Sequence, residues 1–170
     1  MKVILMMATT LDGKIAKTSH HFPSWTSPED KKLFSRISKR SGVVLMGDKT
    51  FFTLKNPLKD RINVVFTLEK NLPSQKGVRW VTGDPGKVLA DLKKEGFQTV
   101  VLGGGANLNS LFLKKKLINE IILTIEPKIF GQGISLFEGE FETDFEVDLE
   151  LLKIEKLNQN SLAHYYKVNY

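Results

Sequence analysis

The stretch Thr99-Val100-Val101-Leu102-Gly103-Gly104-Gly105-Ala106-Asn107 constrains this chain more than any other. Apolar and β-branched residues stop at three glycines, and Leu108, Leu111, Phe112 and Leu113 then recur at helical spacing. The pattern predicts a buried strand, a tight turn and a helix. Glycines permit positive φ and let a ligand approach the main chain. The helix start beyond them offers free N–H groups and partial positive charge, which suits a phosphate. A plain strand-to-helix turn reads the same way, because the spacing is not the G-x-G-x-x-G fingerprint.

A second junction has the same form. Val43-Val44-Leu45-Met46 predicts a strand and Gly47-Asp48-Lys49-Thr50 a turn. A short apolar-periodic segment, 51–54, follows and is broken by Asn56-Pro57. Residues 2–9, 62–67, 78–81 and 98–102 also read as strands. Ser27-Pro28-Glu29-Asp30 opens a helix that Ser41-Gly42 closes, and Asp84-Pro85 opens another that ends at Gly96. Beyond residue 117 the alternation gives way to strand-like segments at 118–129, 145–157 and 161–169. The expectation is an α/β fold: a mixed, mainly parallel sheet with helices on both faces and an antiparallel C-terminal edge. No linker or repeat interrupts it, so residues 1–170 read as one domain.

Open sheets of this kind bind ligands beyond the carboxyl ends of their strands. Residues 8–15, 47–50, Thr67 and 103–107 then share one rim. Two glycine corners on one rim suit a dinucleotide with its two phosphates. Residues 17–26 are polar and read as an exposed loop over that rim. In the helix that follows, Asp30 lies on the same stripe as Leu33, Phe34 and Ile37. A carboxyl there is partly desolvated and its pKa rises. Asp30 also stands three residues after Ser27, so a capping box remains an alternative.

Composition removes several function classes. The chain has no cysteine, which excludes disulfides, thiolate catalysis and Cys-type zinc sites. Three histidines, two of them adjacent at His20-His21, do not make a metal set. Residues 1–7 are too short and wrongly flanked for a signal peptide, and no apolar run reaches membrane-spanning length. A cytoplasmic protein without a membrane partner is expected. The net charge of +6 comes mostly from scattered lysines, and the Lys114-Lys115-Lys116 cluster lacks interleaved aromatics. No nucleic-acid partner is expected, while a mild positive field favours a phosphorylated small ligand.

Several pieces occur in a telling order: Thr10-Leu11-Asp12-Gly13-Lys14-Ile15-Ala16, Trp25 through Phe34, Met46-Gly47-Asp48-Lys49-Thr50, Gly103-Gly104-Gly105 and Pro127-Lys128-Ile129-Phe130-Gly131-Gln132-Gly133. Together they resemble the dihydrofolate-reductase-like superfamily, and the first and last resemble the riboflavin-biosynthesis reductase domain of the bifunctional deaminase/reductase. The resemblance implies a three-layer dihydrofolate-reductase-like sandwich and an NADPH-dependent reductase of the 5-amino-6-(5-phosphoribosylamino)uracil type. It also implies a homodimer, with a face formed by the helical surface 105–117 and the late strands. Phe112 and Leu113 point to different sides of that helix.

By match, Ala8 and Ile15 border the nicotinamide, and Gly47, Lys49 and Thr50 hold phosphates. Thr67 lies near the adenosine end, and Gly103, Gly104, Gly105, Ala106, Asn107 and Leu108 cradle the pyrophosphate. The sequence departs from the family at Asp48, where a basic residue is usual; an acid there repels a 2′-phosphate, with Lys49 as the neighbouring countercharge. Trp25-x-x-Pro28-x-Asp30-x-x-x-Phe34 resembles the dihydrofolate reductase pattern. It implies a catalytic, substrate-anchoring role for Asp30, with Trp25 and Phe34 beside the substrate, Arg61 on its acidic tail and Thr124 supporting the acid. Dihydrofolate reductase is therefore the rival enzyme. The riboflavin-type acid before the glycines is here Gly103, and that family's phosphate-binding arginine is Ser38, with Arg36 and Arg40 on nearby turns. A non-catalytic nucleotide-binding protein is the third reading.

Overall fold

The computed structural model describes residues 1–170. Its centre is β1 (Lys2–Thr10), flanked in parallel by β6 (Thr99–Leu102) on one side and β7 (Glu120–Glu126) on the other. Outward from β6 lie β3 (Val43–Gly47), β4 (Ile62–Phe66) and β5 (Val78–Val81), all parallel. Outward from β7 lie β10 (Leu162–Asn169) and β9 (Asp148–Lys156), both in antiparallel pairs. The spatial order is β5-β4-β3-β6-β1-β7-β10-β9. This is the expected mixed, mainly parallel sheet with an antiparallel C-terminal edge.

The inner strands are continuous apolar runs because both of their faces are covered. Alternate residues of β1 divide between two cores: Val3 and Leu5 join one, Ile4 and Met6 the other. The first core includes Leu89 and Leu92 from α3 (Pro85–Lys94) and Leu108, Phe112 and Leu113 from α4 (Ala106–Lys114). The second includes Leu33 from α1 (Pro28–Ser41) and Phe51 from α2 (Asp48–Phe52). Helices on both faces give three layers.

Local chemistry sets the helix ends. Ser27 caps α1 by accepting a hydrogen bond from the Asp30 amide, and Gly42 closes it at φ 75°. Asp84 caps α3 in the same way, accepting from the Lys87 amide. The segment expected at 51–54 forms its helix earlier, at Asp48–Phe52.

Two elements have no counterpart in the sequence reading. The short strands β2 (Lys14–Ala16) and β8 (Ile134–Ser135) pair antiparallel apart from the main sheet. They are tied by the two motifs that carried the family resemblance. The Asp12 carboxylate accepts from the amides of Phe130 at 3.2 Å and Gly131 at 2.8 Å, and from the Thr10 hydroxyl at 2.5 Å. Those hydrogen bonds, led by the Thr10 hydroxyl, hold its pKa below the usual value. Gly133 is required here, since a Cβ at this position would lie 2.4 Å from the Ala16 carbonyl oxygen.

Although Phe112 and Leu113 point to different sides of α4, neither is left without an apolar partner. Both are buried in the first core, where Phe137, Phe141, Phe145 and Val147 of the connecting segment pack against it. Two of the three clustered lysines are likewise engaged within the chain. Lys115 pairs with Asp84 at 2.7 Å, and Lys114 lies over the Phe141 ring. No helix is long and apolar enough to cross a membrane.

Phe112 is 0% exposed and meets Phe66 edge-on, with ring centroids 5.8 Å apart. Phe112→Ala should therefore destabilise the fold by about 3–5 kcal/mol, read as a shifted midpoint in urea unfolding. A loss well under 1 kcal/mol would contradict this placement of the core.

Candidate active site

The carboxyl ends of β1, β3 and β6 open onto one cavity of about 700 Å³, a size that admits a small ligand or cofactor. Gly47 and the triple glycine are in direct contact there. The Gly47 amide donates to the Gly104 carbonyl at 2.8 Å, and the Gly103 amide to the Leu45 carbonyl at 2.8 Å. Added bulk is crowded at two positions of this seam. A Cβ on Gly105 would sit 3.0 Å from the Thr50 hydroxyl, and one on Gly104, which has φ 90°, would sit 3.0 Å from Met7.

Of the residues singled out from sequence, Ala8, Ile15, Trp25, Asp30, Phe34, Gly47, Lys49, Thr50, Arg61, Gly103, Gly105, Ala106, Asn107 and Leu108 all line this cavity. Gly104, Thr67 and Thr124 do not. Gly104 lies in the seam behind the surface. Thr67 is buried and donates its hydroxyl to the Asp48 carboxylate at 2.8 Å. Thr124 is buried on β7 beside Asp30.

Asp30 is 9% exposed. Its backbone amide donates to Ser27 Oγ, but its carboxylate does not return a capping bond. The Ser27 amide is taken instead by Glu126 Oε1 at 2.7 Å. Glu126, at the end of β7, also accepts from the Ser161 hydroxyl at 2.8 Å. The capping-box alternative is thus excluded, and the Asp30 carboxyl is left to face the cavity. Burial pushes its pKa up, and the Thr124 and Thr26 hydroxyls beside it pull the other way. The Glu126 charge adds a smaller upward push. Thr124 Oγ1 nevertheless completes no hydrogen bond of good geometry.

Glu126 was missed by the sequence reading, because its role depends on β7 ending against the start of α1. The loop 17–26 was expected to be irregular; it holds a 3₁₀ turn at Pro23–Trp25. His21, Phe22 and Pro23 add to the cavity wall, as do Ile134 and Glu138 from beyond the last motif. The loop is pinned from outside by Phe130, whose ring lies 5.1 Å from Trp25 and 5.7 Å from His21.

The cations are placed differently from expectation. Ser38 is fully buried, and its hydroxyl donates to the Phe34 carbonyl at 2.5 Å and accepts from Arg61. It orients Arg61 rather than meeting a ligand. Neither Arg36 nor Arg40 reaches the cavity, and Arg36 pairs with Glu155 at 3.5 Å. Lys31, Lys49 and Arg61 are the basic side chains, apart from His21, along the wall.

The arrangement can hold a diphosphate against exposed main chain and set a desolvated carboxyl beside an apolar ring site. Together with the three-layer sheet it defines a dihydrofolate-reductase-like protein. Residues 1–163 match the family model of the RibD C-terminal domain, and the chain belongs to that family. Dihydrofolate reductase of Haemophilus influenzae is 32% identical over 143 residues, covering 82% of this chain and 84% of that one. Among solved structures, RibD of Acinetobacter baumannii superposes with a TM-score of 0.80 at 22% identity. That match covers 99% of this chain and 58% of the longer RibD chain. Enterococcus faecalis dihydrofolate reductase, complexed with NADP(H), superposes with a TM-score of 0.73 at 20% identity over 99% and 97% of the two chains.

Because the Asp30 pKa is raised, its carboxyl binds a proton more tightly folded than unfolded. Its contribution to stability is full below the ordinary carboxylate range and is lost as pH rises through the raised value. Asp30→Asn should therefore be more stable than the parent at neutral pH, with the advantage fading toward pH 3. Urea titrations of both proteins across that range check the sign, and a gap that widens on acidification would contradict it.

Proposed function

We propose that this chain is a reductase of the riboflavin-biosynthesis type, with a reduced nicotinamide dinucleotide as hydride donor. Its substrate is a nitrogen heterocycle or ribosylamino compound, of which 5-amino-6-(5-phosphoribosylamino)uracil is the family's model. The observation that carries the reading is a buried carboxyl, Asp30, in the same cavity as two abutting glycine corners. When bound, the dinucleotide supplies a hydride to an electron-poor carbon. The family resemblance names NADPH.

The protein's own work is alignment and exclusion of water. The seam between Gly47 and Gly105 exposes backbone where phosphates lie, and Thr50 adds a hydroxyl. Ala8 and Ile15 form the apolar wall beside the reacting ring. Asp30 hydrogen-bonds the substrate's N–H groups and stabilises a protonated or polarised C=N. Thr124, with its unpaired hydroxyl, steadies the Asp30 carboxyl beside it. Trp25 and Phe34 flank the substrate, and Arg61 and Lys31 meet its anionic end.

Dihydrofolate is the second substrate reading. Arg61 lines the cavity, and no arginine stands in the α1 position where a ribosyl phosphate would be held. NADPH and NADH oxidation with dihydrofolate and with the phosphoribosylaminopyrimidine, measured side by side, separates the two. Asp30→Asn should lower kcat with the true substrate by about 100-fold or more, while dinucleotide affinity stays within about threefold. Unchanged turnover removes Asp30 from the chemistry.

We further propose that the protein is a homodimer through its antiparallel edge. Leu149, Leu151 and Ile154 of β9 pair with Val168, Tyr166 and His164 of β10 and so share their face. No helix covers that corner of the sheet, and the three β9 residues are half-exposed on an unpaired edge strand. A second copy related by a two-fold axis would bury the same patch on both chains. Light scattering should give twice the 19.2 kDa chain mass, and Leu151→Glu should return the monomer. A wild-type protein that is monomeric at tens of micromolar would refute the assembly.

A further inference from the structure

We propose that Asp48 selects the cofactor, admitting a dinucleotide with a free 2′-hydroxyl on its adenosine ribose and disfavouring one with a 2′-phosphate. The proposal rests on the reductase reading above and concerns only the far end of the same cavity.

The sheet order fixes which end is which. Along the rim the strands run β4, β3, β6, β1, β7. At roughly 4.8 Å per step, the rim spans roughly 19 Å, enough for an extended dinucleotide. Asp30 lies against Thr124 of β7 at one extreme. The diphosphate seam, Gly47 with Gly103, Gly104 and Gly105, occupies β3 and β6. With the reacting ring on the β1 and β7 side, the second nucleoside must fall beyond Gly47, toward β4. Asp48 is the next residue there, and it lines the cavity.

The side chain of Asp48 is held in place from two directions. Its Oδ1 accepts from the Lys49 amide at 2.6 Å and its Oδ2 accepts from the Thr67 hydroxyl at 2.8 Å. Thr67 is buried at the end of β4, so the tie anchors the carboxylate to the sheet. Each oxygen keeps acceptor capacity after these bonds. No lysine or arginine forms an ion pair with Asp48. A fixed carboxylate with spare lone pairs is an acceptor for ribose hydroxyls and repels a phosphate, the same chemistry by which an acid elsewhere, in the Rossmann fold, separates the two cofactors. Lys49 does not cancel this, because it is exposed and solvent-screened. Thr67, whose hydroxyl could otherwise donate to a phosphate, is already committed to Asp48.

The test is binding, independent of substrate or turnover. Titration calorimetry on the full chain would compare NADH with NADPH, and adenosine 5′-diphosphate with adenosine 2′,5′-bisphosphate as probes of the adenosine end alone. The expected result is at least tenfold tighter binding of NADH, with the same order for the two fragments. Asp48→Asn should shrink the ratio several-fold and Asp48→Arg should reverse it. Equal or tighter binding of NADPH by the wild-type chain overturns the proposal and leaves the reductase reading standing. A ratio unmoved by both substitutions also overturns it. If neither dinucleotide binds, the reductase reading falls and this selectivity falls with it.

Discussion

One hydrogen bond organises the functional end of this molecule: the Gly47 amide to the Gly104 carbonyl. It joins the end of β3 to the turn after β6, strands that are paired over only a short register. The Gly103 amide, donating to the Leu45 carbonyl, makes a second tie across the same seam. The two corners form one continuous surface of main chain, with close side-chain neighbours at Gly104 and Gly105. Glycine serves close contact there and, at Gly104, a positive φ as well. At Gly105 the obstacle is Thr50, and at Gly104 it is Met7 together with a positive φ.

The opposite end depends on a division of labour between two acids. An acid three residues into a serine-capped helix can reach back to the cap, a role that suits the longer Glu better than Asp. Here Glu126 takes the Ser27 amide from across the sheet, and Ser161 holds Glu126 in turn. The helix is satisfied without Asp30, so Asp30 keeps a carboxyl with few partners in a dry place. That is an unstable arrangement in isolation, and it is where a polar ligand would gain most. Its neighbour Thr124 is buried with its hydroxyl unmatched, which adds to the same local deficit.

Much of this was legible in the sequence because it follows from local rules. Runs such as Val43-Val44-Leu45-Met46 and Val100-Val101-Leu102 are apolar on every position, which requires cover on both faces. The rim then follows from parallel topology, and with it the grouping of Gly47, Gly105, Ala8 and Asp30. Long-range pairing was not legible. The strands at 14–16 and 134–135 are too short to show a period, and only the fold brings Asp12 to the amides of Phe130 and Gly131. Ser38 looked like a missing ligand residue, but it is a buried hydroxyl that positions Arg61. Phe112 and Leu113 looked divergent on a helical wheel. They are both buried because the segment carrying Phe137 and Phe141 folds back over the helix.

The two ends of the cavity also differ in kind, and that difference bears on how such a fold changes specificity. At the Asp30 end the carboxyl is desolvated, so small changes in its surroundings move its protonation and the stability of the whole chain together. At the Asp48 end the acid is tied by an amide and a hydroxyl at a partly solvated rim, and little of the core rests on it. On the selectivity proposed above, a substitution there would alter which nucleotide is welcome without disturbing the sheet. The glycine seam lies between the two ends. Cofactor choice could then drift at residue 48 while burial holds the reacting end constant.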